Sequence, residues 1–154
     1  MTITFERATR ADAAGLITAQ IAAFHHDAVL YPGVVIGGPP GYDSVENMRA
    51  RIQEAECYTM LDVGQIIGGI VVFDRGHGHV HIDRIFIDPA YHNRGIGTRA
   101  MQFLEQTYPA TVWSLNTPIW AVRNRHFYEK LGYVNMKEEA LPDITLIWYE
   151  KRFG

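Results

Sequence analysis

Apolar residues recur at helical spacing in two segments near the start of the chain. The first segment runs from Thr9, a residue type that caps helices, and its apolar residues follow three- and four-residue steps at Ala13, Leu16, Ile17, Ile21 and Phe24. The second begins after Asp43, with Glu46 at capping-box spacing and apolar residues at Val45, Met48 and Ile52. The pattern predicts two helices, the second with Asp43 as its N-cap. The Gly- and Pro-rich stretch from Tyr31 to Gly41 predicts a long loop between them.

The middle of the chain changes to the pattern of β-strands. Three segments rich in β-branched and aromatic residues follow one another, at Thr59–Asp62, Ile66–Asp74 and His79–Ile87. Short turn sequences separate them, Val63-Gly64-Gln65 first and Arg75-Gly76-His77-Gly78 second. This order predicts an antiparallel meander of three strands.

In the last third of the chain the apolar residues return to helical spacing, and predicted helices and strands then alternate. This pattern predicts a helix from Gly95 to about Tyr108, a strand over Thr111–Asn116, a helix from Val122 to Leu131 ended by Gly132, and strands near Tyr133–Lys137 and Ile144–Glu150. With one strand before Thr9, the element order is β-α-α-β-β-β-α-β-α-β-β. The sequence therefore predicts the α/β class with a mixed sheet.

Composition narrows the class of protein further. A chain of 154 residues with 47% hydrophobic residues predicts a single domain over 1–154. The formal net charge of -3 argues against nucleic acid as a partner, and no apolar run is long enough to span a membrane. The single cysteine, Cys57, and a polar start without a signal peptide favour a cytoplasmic location.

The segment from Asp88 to Thr98 is the most informative for function, because it joins a predicted strand to a predicted helix. Gly95 and Gly97 allow close backbone approach, and the free N–H groups of a helix start attract phosphate. The glycines also fit the dinucleotide-binding fingerprint, but seven residues separate Ile87 from Gly95. A P-loop is excluded as well, since no Gly-Lys-Ser/Thr is present.

Two motifs resemble the GNAT superfamily of acyl-CoA-dependent N-acetyltransferases. His92-Asn93-Arg94-Gly95-Ile96-Gly97 is similar to its pyrophosphate-binding turn, with His92 where the family carries Gln or Arg. Asn124-Arg125-His126-Phe127-Tyr128-Glu129-Lys130-Leu131-Gly132-Tyr133 is similar to its closing helix. The element order also matches, so the resemblance covers essentially the whole chain. It implies a mixed, mostly antiparallel sheet flanked by helices, and acetyl transfer from acetyl-CoA to a small-molecule amine without a metal.

The resemblance also implies roles for individual residues. Tyr128 would protonate the leaving thiolate, and Asp83 or His81 would be the general base unless water serves. Acetyl-CoA would bind along Ile85, Phe86 and Ile87, at Asn124, and at the turn residues His92, Asn93, Arg94, Gly95, Ile96, Gly97 and Thr98. The acceptor would bind near Phe24, His25, Asp27 and Tyr31, where the family varies its acceptor pocket.

Several alternatives stay open at this point. The first is a CoA-binding sensor or interaction domain without turnover, and the second is a protein N-terminal acetyltransferase with an open peptide groove. His81 and Asp83 also suit a solvated strand face. A metal site at His77, His79 and His81, or a nucleophilic Cys57, lacks a supporting motif. The sequence leaves the acceptor and a homodimer undecided.

Overall fold

The computed structural model of the chain describes residues 1–154, and its seven strands form one sheet. The strands are β1 (Ile3–Arg7), β2 (Glu56–Asp62), β3 (Gln65–Gly76), β4 (His79–Ile87), β5 (Val112–Pro118), β6 (Val134–Ala140) and β7 (Thr145–Arg152). The helices are α1 (Ala13–His25), α2 (Asp27–Leu30), α3 (Val45–Glu54), α4 (Ile96–Thr107) and α5 (Val122–Lys130). None of these helices combines the length and apolar character needed to cross a membrane.

The sheet has the order β1-β2-β3-β4-β5-β7-β6. Every neighbouring pair is antiparallel except β4 and β5, which are parallel. The mixed, mostly antiparallel sheet flanked by helices is therefore confirmed. The parallel pair matters for function, because the two strands are in register only from His79 to His81 on β4 and from Val112 to Ser114 on β5.

Apolar side chains cover both faces of the sheet. On one face, Ala100, Met101 and Leu104 of α4 and Tyr128 of α5 join the larger buried cluster. On the other face, residues of α1 and α3 such as Leu16 and Met48 form a second cluster with β2, β3 and β4. The opening between β4 and β5 is thus flanked by different helices on its two sides.

A β-bulge in β4 changes which side chains face each layer. Val71 of β3 pairs with Arg84 and Val72 pairs with Ile82, so Asp83 has no partner on β3. Before the bulge, Val80 and Ile82 point into the larger cluster, whereas after it Phe86 points into the second cluster. An extra residue on one strand shifts the alternation in this way. The bulge therefore directs Ile85 and Ile87 toward α4 and α5.

The helix starts differ in detail from the sequence-based expectation. The N-cap of α3 is Ser44, whose hydroxyl accepts from the Asn47 N–H at 3.1 Å, so the prediction of Asp43 as N-cap was wrong. Thr9 precedes a 3₁₀ turn over Arg10–Asp12, and α1 follows at Ala13. The predicted long loop also contains the short helix α2 at its start.

Candidate active site

The site begins where β4 parts from β5. The N–H of Asp88 donates to the Ile67 carbonyl of β3 at 2.8 Å. Because hydrogen-bonded pairs alternate along an antiparallel ladder, Phe86 also bonds to β3, and Ile85 and Ile87 turn their backbone groups toward β5. No β5 residue pairs with β4 at this level. The N–H and carbonyl of Ile85 and the N–H of Ile87 therefore have no strand partner at the opening, whereas the Ile87 carbonyl accepts from the His92 ring.

A cavity of about 560 Å³ occupies this opening. Residues from both sides of the sheet line it. From α1, α2 and the following loop come Ala23, Phe24, Asp27, Leu30 and Tyr31, and from β4 come Ile85, Phe86 and Ile87. The turn after β4 and the start of α4 contribute Tyr91, His92, Asn93, Gly95, Ile96, Gly97 and Thr98, and α5 contributes Arg123, Asn124, Phe127, Tyr128 and Lys130.

The turn at one end of this cavity is built to hold an anion. Asn93 and Gly95 both have left-handed backbones, with φ of 62° and 75°. The first intrahelical bond of α4 runs from the Arg99 N–H to the Gly95 carbonyl, so the N–H groups of Ile96, Gly97 and Thr98 have no intrahelical partner. These free donors and the helix dipole favour a phosphate group at this position.

His92 has a structural role in the same turn. Its Nε2 donates to the Ile87 carbonyl at 2.9 Å, and its ring packs edge-on against His26 at 5.5 Å between centroids. Burial lowers the pKa of His92, so the ring is neutral at physiological pH. The imidazole therefore ties the turn to the end of β4.

The cationic side chains are distributed differently from the sequence-based expectation. Arg94 does not line the cavity, because its guanidinium lies over the Tyr91 ring at 5.2 Å and its Nη1 reaches the Met1 Sδ at 3.8 Å. Arg123 and Lys130 of α5 line the cavity instead. Both were missed in the sequence, although they lie on the same short helix as Asn124 and Tyr128 and share the helical face of Phe127.

Tyr128 contributes a free hydroxyl to the cavity wall. Its side chain is 7% exposed and packs against Phe127 and Tyr133. The hydroxyl makes no hydrogen bond to another protein group, and burial raises its pKa well above the ordinary value for tyrosine. Tyr128 therefore stays protonated at neutral pH with its proton available to a ligand. Asn124 lines the same wall, with its Nδ2 3.4 Å from the Thr117 Oγ1.

The structure does not bring Asp83 or His81 into the cavity. Asp83 forms an ion pair with Arg51 of α3, and its Oδ2 lies 3.7 Å from the Arg84 Nε. His81 is buried, and its Nδ1 lies 2.8 Å from the Ser114 Oγ, which also contacts the His79 Nε2 at 2.8 Å. The two predicted base candidates thus have protein partners elsewhere on the sheet, which corrects their expected position.

The four residues predicted to bind the acceptor lie only partly in the cavity. Phe24, Asp27 and Tyr31 line the cavity as expected, but His25 does not, because its Nε2 contacts the Tyr42 hydroxyl at 2.6 Å. The loop over 34–41 does not line the cavity either. Tyr31 connects the segment after α2 to α5, because its hydroxyl accepts from the backbone N–H of Arg123 at 3.1 Å.

Comparison with known proteins decides the family. The family model described as "Acetyltransferase (GNAT) family" matches residues 22–133, which include the opening, the turn and Tyr128. The chain belongs to the GNAT acetyltransferase family. This membership agrees with both sequence motifs and with the fold.

Relatives of this GNAT protein include two from Bacillus subtilis (strain 168). The uncharacterized protein YrkN is 38% identical over 99 residues, a match that covers 62% of this chain and 54% of YrkN, so the chain spans about half of that relative. S-(2-succino)cysteine N-acetyltransferase is 29% identical over 113 residues, covering 66% of this chain and 68% of the enzyme.

A solved structure shares the GNAT fold over nearly the full length. The PaiA N-acetyltransferase from Thermoplasma acidophilum, in complex with coenzyme A, superposes with a TM-score of 0.77. The superposition covers 99% of this chain and 100% of that protein at 15% sequence identity. At this identity the likeness shows the fold alone.

Asp27 is the acidic group of this GNAT cavity and has an effect on stability that can be measured. Its carboxyl group has no ion-pair or hydrogen-bond partner, and burial raises its pKa from 3.8 to about 6. The folded protein therefore binds this proton more tightly than the unfolded chain does. The contribution of protonated Asp27 to the free energy of unfolding is therefore fully present below about pH 4, and it is lost as the pH rises through about 6.

Replacement of Asp27 by Asn is expected to stabilise the protein at pH 7.5, because the neutral amide avoids the cost of burying a charge. The rise of the Asp27 pKa to about 6, discounted for partial solvent access, corresponds to about 1 kcal/mol. Thermal unfolding of both proteins between pH 4 and 8 checks this, with the Tm difference shrinking toward pH 4. A variant less stable than wild type at pH 7.5 would show that the carboxylate has a favourable partner.

Proposed function

We propose that the protein transfers the acetyl group of acetyl-CoA to the amine of a small-molecule acceptor, by direct attack of the amine on the thioester. One observation carries this proposal. A single cavity is lined by an anion-binding turn, by unpaired backbone groups of β4, by the free hydroxyl of Tyr128 and by the carboxylate of Asp27. These groups match the parts of a CoA thioester and an approaching amine.

The cofactor end of the cavity suits acetyl-CoA. The N–H groups of Ile96, Gly97 and Thr98 would hold the pyrophosphate. The backbone of Ile85 and Ile87 would pair with the amide groups of the pantetheine arm, with Asn124 on the opposite wall. The PaiA structure with coenzyme A supports this assignment through the shared fold.

The chemistry then needs an oxyanion donor and a proton for the sulfur. A free N–H of Ile85 or Ile87 is placed to stabilise the oxyanion that develops as the amine attacks, a contribution of about 2.7–4 kcal/mol in other enzymes. Tyr128 donates its hydroxyl proton to the departing thiolate, since its phenol remains protonated and has no competing partner.

A small acceptor is favoured over a protein N-terminus. The hydrogen bond from the Arg123 N–H to the Tyr31 hydroxyl and the contact of the Tyr31 and Trp120 rings at 5.3 Å link two segments beside the cavity, and this link supports a small acceptor. The relative that acetylates S-(2-succino)cysteine also supports a small acceptor.

The proposal is tested by the release of free CoA from acetyl-CoA in the presence of a panel of small amines, with a thiol-reactive dye as the readout. We expect at least one amine to raise CoA release clearly above the rate of acetyl-CoA hydrolysis, with the N-acetylated amine found by mass spectrometry. Tight CoA binding by calorimetry with no response to any amine or N-terminal peptide would instead support the sensor alternative.

A further inference from the structure

We propose that Asp27 receives the acceptor as a cationic ammonium group and takes the proton that the amine must lose. This inference rests on the proposed acetyl transfer and names the class of acceptor. It assigns to α2 the role of general base that the sequence suggested for Asp83 or His81 on β4.

The position of Asp27 supports this role. Asp27 is the only acidic side chain that lines the cavity, and it enters from α2, directly after His26, whose ring packs against His92 of the turn after β4. Ala23, Phe24 and Leu30 of neighbouring sequence positions line the same cavity, and the Asp27 carboxyl group is partly buried. A carboxylate without a protein partner in such surroundings is available for a positively charged ligand.

The other candidate bases are engaged elsewhere. Asp83 is held by Arg51, and His81 shares the Ser114 hydroxyl with His79. His92 does line the cavity, where its Nε2 donates to the Ile87 carbonyl and burial lowers its pKa, so its Nδ1 is a weaker base than that of an ordinary histidine. The tyrosines of the cavity wall stay protonated near neutral pH and cannot accept a proton there. Asp27 is therefore the carboxylate left for the amine.

The charge environment of Asp27 is compatible with proton transfer near neutral pH. Burial is the cause that raises its pKa to about 6, so the carboxylate is ionised at pH 7.5 and is a stronger base than an exposed aspartate. The titratable or charged groups around it come from its own segment, from the turn after β4 and from α5: His26, Tyr31, Tyr91, His92, Arg123 and Lys130.

The proton balance of the reaction is complete with these groups. The ammonium ion transfers one proton to Asp27, and the neutral amine nitrogen forms a bond to the thioester carbon. The carbon–sulfur bond then breaks, Tyr128 protonates the sulfur, and the N-acetylated product releases its remaining excess proton to solvent. Proton exchange with solvent restores Asp27 to its carboxylate and Tyr128 to its phenol. No oxidant, reductant or further reactant is needed.

The experiment is the pH dependence of kcat/KM for an active amine found in the CoA-release assay, in wild type and Asp27→Asn. Wild type should show an acid limb near pH 6, where Asp27 is protonated. In Asp27→Asn we expect a loss of about 10²–10⁴-fold at pH 7.5. The kcat/KM that remains in Asp27→Asn should rise tenfold per pH unit up to the pKa of the amine. The reason is that only amine that is already neutral in solution can then react.

Matched variants separate this role from its alternatives. Asp43→Asn removes an exposed carboxylate of the same region and should retain full activity. His92→Gln, which restores the residue type common in the family, should retain the acid limb. Some amines are already neutral at pH 7.5. For such an amine, the loss of kcat/KM in Asp27→Asn should be at least about tenfold smaller than for an amine that is cationic at this pH.

The outcomes also separate this inference from the proposed function. If wild type releases no CoA with any amine, the proposed function fails. If wild type is active but Asp27→Asn keeps the acid limb or more than about a third of kcat/KM, Asp27 is not the proton acceptor. If the acid limb of the pH profile is lost in Asp83→Asn or His92→Gln instead, that residue is the proton acceptor. Calorimetry should show unchanged CoA affinity in Asp27→Asn.

Discussion

Replacing Tyr128 by Phe is expected to lower kcat and kcat/KM together by about 10²–10⁴-fold, the usual contribution of general acid catalysis. The ring and its contacts with Phe127 and Tyr133 remain, so only the free hydroxyl in the cavity is lost. Because a proton donated to the leaving sulfur acts in the transition state, both parameters fall and CoA affinity does not. Steady-state CoA release and calorimetry measure these quantities.

Tyr133→Phe is the matched control for this prediction. Tyr133 is a neighbouring buried tyrosine whose hydroxyl also lacks a hydrogen-bond partner, but it does not line the cavity. It should retain wild-type turnover. A loss below about threefold in Tyr128→Phe, with acetyl transfer shown to limit the rate, would leave Tyr128 a packing role. The Tm of each variant must be measured on the same preparation, since unfolding alone would also reduce activity.

Gly95→Val is expected to weaken CoA binding by at least about tenfold, equivalent to 1.4 kcal/mol, at the turn that precedes α4. Gly95 has φ of 75°, a backbone conformation that a β-branched residue strongly disfavours. A Cβ there would meet no protein atom within 4 Å, so the fold has room for the side chain. The cost therefore falls on the backbone conformation that aims the N–H groups, and on the space that a phosphate would occupy.

Gly64→Val provides the matched control for that change. Gly64, in the turn between β2 and β3, has φ of 79°, and a Cβ at this position would also meet no protein atom within 4 Å. Its substitution imposes the same backbone strain away from the cavity, so CoA affinity should stay at the wild-type value. Equal affinities of folded Gly95→Val and wild type in calorimetry would place the pyrophosphate elsewhere.

The order of elements could be predicted from the sequence because the signals are local. Helical spacing, strand alternation and Gly-rich turns each act within about ten residues, and the observed strands and long helices follow them. The glycine turn was predictable for the same reason, since its chemistry depends on consecutive backbone groups before α4. The face of Phe127 along α5 includes Arg123 and Lys130, so the closing-helix motif could have suggested them as well.

The partners of individual side chains could not be predicted, because they come from distant parts of the chain. Asp83 pairs with Arg51 across 32 positions, and His81 meets Ser114 across 33. The bulge at Asp83 has no signature in its own sequence. The alternation of side chains along a strand places His79, His81 and Asp83 on one face. It does not show that other protein groups form hydrogen bonds and ion pairs with them.

The short register between β4 and β5 has a mechanical consequence for the whole molecule. Three residue pairs join a four-stranded half of the sheet to a three-stranded half. Cohesion between the halves therefore depends on side chains, chiefly Val80 and Ile82 of β4 with Trp113 and Leu115 of β5 in the larger cluster. A rotation of one half against the other about this apolar joint would widen or narrow the cleft while straining only the short ladder between β4 and β5.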